Sequence, residues 1–187
     1  MKSNNIYAQF NNSTIRVYQA FRDEIADEAI RLGKFGSHFR LGRMSWIKPT
    51  FLWMMYRSGW ATKKGQERIL AIDMKREGFD TIFKNAVLTS FDKDKYNNYE
   101  NWKKQLAKTE ARCQWDPDRD IYGNPLNRRT IQLGLRGNII RKYIKEWIVN
   151  ITDITQYVIE LRDAIKDGTF KKCMLPAEDE YLYSLAP

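Results

Sequence analysis

Apolar positions near the start of the chain alternate with polar ones, and the spacing then turns helical. Ile6 to Phe10 and Thr14 to Phe21 predict two strands joined by a tight Asn11-Asn12-Ser13 turn, so the chain is expected to open with a hairpin. Asp23 then predicts a helix start: Glu24, Asp27 and Glu28 crowd the first turns, Ile25, Ala29 and Leu32 repeat at helical spacing, and Gly33 stops it. Lys34 to Lys48 reads as a loop with two further glycines. Pro49 suits the first turn of a second helix, which runs to Arg57 and ends at Gly59, and its apolar residues on nearly every side predict a buried central helix.

Farther on, Arg68 to Met74 reads as a buried strand, Glu77 to Ala86 and Asn98 to Lys108 as helices. Arg112 to Trp115 and Arg129 to Leu135 read as short strands flanking a loop. Helices are expected at Asn138 to Ile148 and Ile154 to Asp167. Strands and helices mix without regular strand–helix–strand alternation, which predicts an α+β fold with a mostly antiparallel, possibly split sheet flanked by helices. The expected organisation is one domain over 1–170. The acidic, tyrosine-bearing segment 171–187 is expected as a docked or loose tail.

The 187 residues suit one core, and 43% hydrophobic with 29% charged residues is ordinary for a globular protein. The longest apolar run, Phe51 to Tyr56, falls far short of the roughly 20 residues that span a bilayer. With no signal-peptide core and two distant cysteines, Cys113 and Cys173, the expectation is a cytoplasmic protein with reduced thiols and no metal site.

Charge changes the picture through its placement. Between Ala29 and Gln66 there is no Asp or Glu, while Arg31, Lys34, Arg40, Arg43, Lys48, Arg57, Lys63 and Lys64 fall there. A second acid-free stretch, Ile121 to Lys145, holds Arg128, Arg129, Arg136, Arg141, Lys142 and Lys145. Soluble surfaces normally mix signs, so an anionic partner is expected, a nucleotide or a nucleic acid with RNA favoured. Arg43, Lys48 and Arg57 are expected to line one cleft with at least one of Arg128 and Arg129.

The densest segment is Arg43 to Trp60. Trp53 falls mid-helix and is expected in the core. Trp46 and Trp60 lie outside the helix beside Lys48 and Arg57, where an indole can stack on a base or a nicotinamide ring. The loop before Pro49 is expected to aim free backbone N–H groups outward at the helix start, with Lys48 beside them, an arrangement that suits phosphate. In the Asp116-Pro117-Asp118-Arg119-Asp120 turn, at least two of the three acids are expected to cap the turn and pair with Arg119. Asp116, directly after a strand, is the candidate to orient a ribose hydroxyl or to stabilise an oxocarbenium-like centre. His38 and Arg40 stand in the basic loop as candidate nucleic-acid contacts, although a lone histidine such as His38 is more often a plain surface residue. No Walker loop, dinucleotide fingerprint, HExxH or nucleophile elbow occurs in the sequence.

The run Arg43 to Trp60, then Gly65 to Ile72, Gln114 to Arg119 and Arg129 to Leu135, resembles the domain-of-unknown-function family numbered 4291 over Ile6 to Ile154. That resemblance implies one domain and no particular activity. More distantly, the order of elements is similar to the ADP-ribosyltransferase-like fold. Ile15 to Phe21 with the following helix looks like its opening strand and helix, Ser45 and Trp46 fall near its second motif, and Arg129 to Leu135 near its third. This likeness implies NAD as the ligand. It assigns Tyr18 and Trp46 to the nicotinamide end, Arg43 and Lys48 to the pyrophosphate, Gln19 to a ribose and Asp116 to developing positive charge. Gln19 stands where Arg or His is usual and Gln132 near the usual Glu, a departure that is closer to the RNA 2′-phosphotransferase branch than to protein modification.

Three readings follow: an NAD-using transferase acting on a nucleic acid or nucleotide, a non-catalytic single-stranded RNA or DNA binder, and a docking surface for a protein partner.

Overall fold

The computed structural model describes residues 5–183. Its elements run β1 (Ile6–Ala8), β2 (Thr14–Phe21), α1 (Asp23–Leu32), β3 (Ser45–Ile47), α2 (Phe51–Ser58), β4 (Arg68–Lys75), α3 (Arg76–Asn85), β5 (Val87–Leu88) and α4 (Tyr99–Lys108). They continue with β6 (Ala111–Arg119), β7 (Pro125–Leu135), α5 (Gly137–Lys142), a π-helical turn at Tyr143–Trp147, β8 (Ile148–Asp153), α6 (Thr155–Lys166), a 3-10 turn at Lys172–Met174 and β9 (Asp179–Tyr181). The strands form three sheets, β1-β9, β2-β4-β8 and β3-β7-β6-β5. Every pairing is antiparallel except β5 with β6. The fold is thus α+β with split antiparallel sheets, as the patterning predicts.

Strand β4 is apolar on both faces because a core lies on each side of it. Leu70, Ile72 and Met74 point into the larger core with Val17, Phe79 and Leu133. Ile69 and Ala71 point the other way, against Tyr18, Met54, Met55, Val158 and Leu161 of the second core. Period-two alternation with both faces apolar is the signature of a central strand. Gly78 lets α3 lie on the π-helical turn: a Cβ there would meet the Trp147 ring at 2.4 Å.

The opening hairpin forms only at its tip. Asn11 Oδ1 accepts from Ser13 N (2.9 Å) and Thr14 N (2.8 Å), and Phe10 bridges Ile15. Strand β1 then leaves β2 and pairs instead with β9, Ile6 opposite Tyr181. The segment expected as a tail outside the 1–170 domain is therefore docked as far as it is described. Tyr181 belongs to the larger core, and Met174 and Leu175 pack on the second. Residues 184–187 lie outside the described residues.

Three further expectations change. The 34–48 loop contains β3. The Asp116-Pro117 turn is strand: β6 runs on to Arg119, and the reversal falls at 120–124, where Asp120 Oδ1 accepts from the backbone of Tyr122 and Asn124. The helix expected at Asn138 to Ile148 breaks into α5 and the π-helical turn, and β8 follows directly. No helix among the described residues is long and apolar enough to cross a membrane. Both cysteines are free, Cys113 buried and Cys173 exposed.

Candidate functional site

Antiparallel partners that sit opposite each other share a face, as do residues two apart on one strand. In β3 and β7 Trp46 faces Gly134; in β6 and β7 Gln114 faces Gln132 and Asp116 faces Thr130. One face of this sheet therefore presents Trp46, Gln132, Gln114 and Asp116. Gly134 is required there, because an added Cβ would lie 2.6 Å from Met44 Sδ and 3.0 Å from the Trp46 ring. Without a side chain on β7 at that point, the indole lies across the strand.

The other wall comes from β2, whose Gln19, Ala20 and Phe21 line the same space. The two sheets join at a single bridge, in which Tyr18 N donates to Lys48 O (2.7 Å) and Lys48 N to Tyr18 O (3.3 Å). Next to the bridge, Gln19 is buried and its amide is fully engaged. Its Nε2 donates to Ser45 Oγ (2.9 Å) and Trp46 O (3.3 Å), and its Oε1 accepts from the buried Tyr143 hydroxyl (3.0 Å). Gln19 therefore acts through Ser45, whose hydroxyl keeps its own proton to donate. That is a different role from the ribose contact expected of Gln19.

Between the walls lies a cleft of about 690 Å³, a size typical of cofactor and small-ligand sites. Six basic residues line it, Arg22, Arg40, Arg43, Lys48, Arg57 and Lys64, and no carboxylate is among the lining residues. Of the six, Arg22 pairs with Glu24 (3.2 Å) at the exposed rim, and the others form no ion pair among the described residues. Lys48 is 5% exposed, and its ammonium makes one long contact, 3.5 Å, to Trp46 O. Burial, reinforced by the Arg57 charge and opposed by Asp116, pushes the Lys48 amine down to about 7. An anion in the cleft would reverse that shift by pairing with the ammonium.

Asp116 lies just behind this lining. Gln114 Nε2 donates to its Oδ1 (2.9 Å) and Gln132 Nε2 to its Oδ2 (3.0 Å). Both glutamines line the cleft. Arg40, Arg43, Ser45, Trp46, Lys48, Arg57, Gln19 and Gln132 are thus brought together, with Asp116 beside them.

Other candidates lie elsewhere. Tyr18 faces the second core, its ring edge-on to Phe51 at 5.6 Å. Trp60 packs on the same core against Phe51, and its carbonyl accepts from Arg162. Neither side chain lines the cleft: alternation along β2 turns Tyr18 away from the side that Gln19 faces, and the chain folds back at Gly59 before Trp60. Arg128 is paired with the buried Asp118, Nε to Oδ2 at 2.9 Å, and its guanidinium lies 4.4 Å from the Tyr7 ring centroid. Arg129 donates to Trp115 O (2.6 Å). The expected contribution of this pair to the cleft is therefore not made: β7 aims both side chains at the chain's own acceptors. Arg119 finds no acid in the turn; its guanidinium lies 4.0 Å from the Tyr56 ring centroid. His38 sits by Glu28, which accepts from His38 N (2.8 Å) and Ser37 Oγ (2.8 Å) and so pins the loop.

The helix start after Pro49 is closed as well. Glu178 Oε1 accepts from Phe51 N at 2.5 Å, so the chain fills the position expected for a phosphate. Burial, with Asp118 nearby, pushes the Glu178 carboxyl up to about 7 against that hydrogen bond. Sequence reasoning missed Gln114 and Met54 as lining residues of the cleft, and Glu178 as the acceptor at the helix start. Gln114 alone left a signal, two residues before Asp116 on a strand and so on its face. Among the described residues no cluster of three or more His, Cys, Asp or Glu could hold a metal ion.

No curated protein and no solved structure matches the chain. The model of the family described as domain of unknown function (DUF4291) matches residues 5–181. That span exceeds the Ile6 to Ile154 resemblance and takes in the docked C-terminal strand, and the chain belongs to this family.

Proposed function

We propose that the cleft binds NAD through its phosphates and transfers the ADP-ribose portion to a nucleic acid or nucleotide. One observation carries the reading: a 690 Å³ cleft with six basic side chains, no carboxylate among its lining residues and an indole on its wall. Charge-assisted contacts to phosphate are the strong use of such unpaired guanidiniums. Arg43 and Arg57 would hold the pyrophosphate with Lys48, Trp46 would stack on a ring, and Ser45, fixed by Gln19, would donate to a sugar oxygen. NAD supplies a glycosidic bond whose cleavage releases neutral nicotinamide. Asp116, held beside the cleft, favours the positive charge that develops at the sugar carbon.

A second reading, a non-catalytic single-stranded RNA or DNA binder, is favoured by the aromatic surface around Arg119. Tyr56 is 46% exposed beneath the Arg119 guanidinium, and Tyr122 at the hairpin tip is 74% exposed. Exposed rings with neighbouring arginines stack unpaired bases.

Calorimetry with NAD, run alongside an assay of nicotinamide release with and without RNA, separates the two. Heat of binding with nicotinamide release supports the transferase. Lys48→Ala is then expected to weaken NAD by about 1.5–3 kcal/mol through loss of a charge-assisted contact. Salt-sensitive RNA binding without NAD binding supports the second reading. Silence in every arm removes both.

A further inference from the structure

A carboxylate only accepts hydrogen bonds, so each amide that meets Asp116 must turn its –NH2 toward it. Gln114 and Gln132 do so, one on each carboxylate oxygen. The orientation of both amides is therefore fixed by chemistry, and the carbonyl oxygen of each is the end left for the cleft. The two glutamines are direct cross-strand partners, a placement that sets their Cβ atoms about 4.5–5.5 Å apart. Two acceptors thus stand side by side in a wall whose charged groups, the six basic residues, are all donors. Paired carbonyls repel one another and gain most from a group with two hydrogens to share. A primary amide offers that group, whereas a carboxylate there would set oxygen against oxygen. Trp46, on the same sheet face, supplies the surface on which an aromatic ring bearing the amide would lie.

We propose that Gln114 and Gln132, oriented by Asp116, select a phosphate-bearing ligand whose ring carries a primary carboxamide. This rests on the NAD reading above and assigns the nicotinamide end to the glutamine pair. Gln114 and Gln132 determine specificity, and in this selection Asp116 acts by positioning them, besides the charge it lends the sugar carbon.

The test is calorimetric comparison of NAD with nicotinic acid adenine dinucleotide, which replaces –CONH2 by –COO⁻, with ADP-ribose as the control that lacks the ring. The six cations of the cleft outnumber the single Asp116 carboxylate behind it and favour the acid form, so a preference for the amide runs against the net charge of the site. NAD is expected to bind at least about 10-fold more tightly than the acid form, because a site built to bond a polar group rejects the analogue that cannot make the bond. Asp116→Asn replaces one of the two acceptors by a donor, so one of the two amides turns, and it is expected to bring the ratio to about one or to reverse it; Gln114→Leu with Gln132→Leu, which keeps the Asp116 charge, is expected to remove the preference as well. A general loosening of the cleft would weaken all three ligands and leave the ratio in place. If ADP-ribose binds while wild-type protein treats the two dinucleotides alike or prefers the acid, the glutamine assignment is overturned and the NAD reading stands. If none of the three binds, both fall together.

Discussion

The two acid-free stretches of the chain meet different fates. The arginines that the second places on and just after β7 are engaged by the protein itself: Arg128 by Asp118, Arg129 by Trp115 O, and Arg136 by Thr109 O at 2.8 Å. The first supplies Arg40, Arg43, Lys48, Arg57 and Lys64 to the cleft, where no acid lines the wall. Absence of acids nearby in sequence therefore says little about charge balance in space. Asp118 stands only ten residues before Arg128, across a hairpin, and neutralises it. What distinguishes the cleft is that, among the described residues, no carboxylate forms an ion pair with Arg40, Arg43, Lys48, Arg57 or Lys64.

The largest expected effect breaks the closed side. Asp118 is 1% exposed, so Arg128→Ala leaves a buried carboxylate without its partner and is expected to cost about 3 kcal/mol in chemical denaturation. Arg43→Ala at the open side is expected to stay within about 0.5 kcal/mol, as an exposed change away from packing. Equal losses would erase the contrast.

Next in size is a change of opposite sign. The Lys48 amine is lowered in the fold from 10.5 to about 7, so between those pH values the unfolded chain holds the extra proton. Stability must therefore rise with pH across that window. Lys48→Met is expected to flatten the slope and to raise stability at pH 7 and below by at least about 1 kcal/mol, the worth of one pKa unit. Thermal unfolding at pH 6 and pH 9 measures both. A pH-independent wild type would show that the amine is solvated.

The smallest effect concerns Glu178, whose carboxyl is raised in the fold from 4.5 to about 7. Its contribution to docking is complete below pH 4.5 and is lost as pH rises through about 7. Hydrogen exchange at the β9 amides is expected to quicken between pH 6 and 8, after correction for intrinsic rates. Glu178→Gln, which cannot ionise, is expected to remove that change at a cost or gain under about 1 kcal/mol. Unchanged protection in wild type would count against the docked acid.

Elements with strong local signals were legible from sequence. Helix α1 ends at Gly33 with φ 66°, and α4 begins at Asn98, whose side chain accepts from Asn101 N. Strand β8 was not legible, because Ile144, Ile148 and Ile151 continue a near-helical spacing past the π-helical turn. Pro117 concealed the length of β6. Strand β5 pairs with β6 only at Arg112 and Cys113, so one edge at Pro117 is free and a missing N–H is tolerated there. Of the site, the residues of the Arg43 to Arg57 segment could be grouped because they are neighbours in the chain. Gln114 opposite Gln132, and Glu178 on Phe51, depend on pairings that no local pattern encodes.

The pairing of Ile6 with Tyr181 also bears on how the protein is made. During synthesis β1 leaves the ribosome early and its partner strand late, a wait of roughly 10–35 s at 5–20 residues per second. Throughout that interval Ile6 and Ala8, both buried in the finished fold, have no partner strand and helix α2 lacks the carboxylate that accepts from Phe51 N. A nascent chain arrested before Glu178 therefore carries an open edge, which a chaperone can hold and another chain can capture.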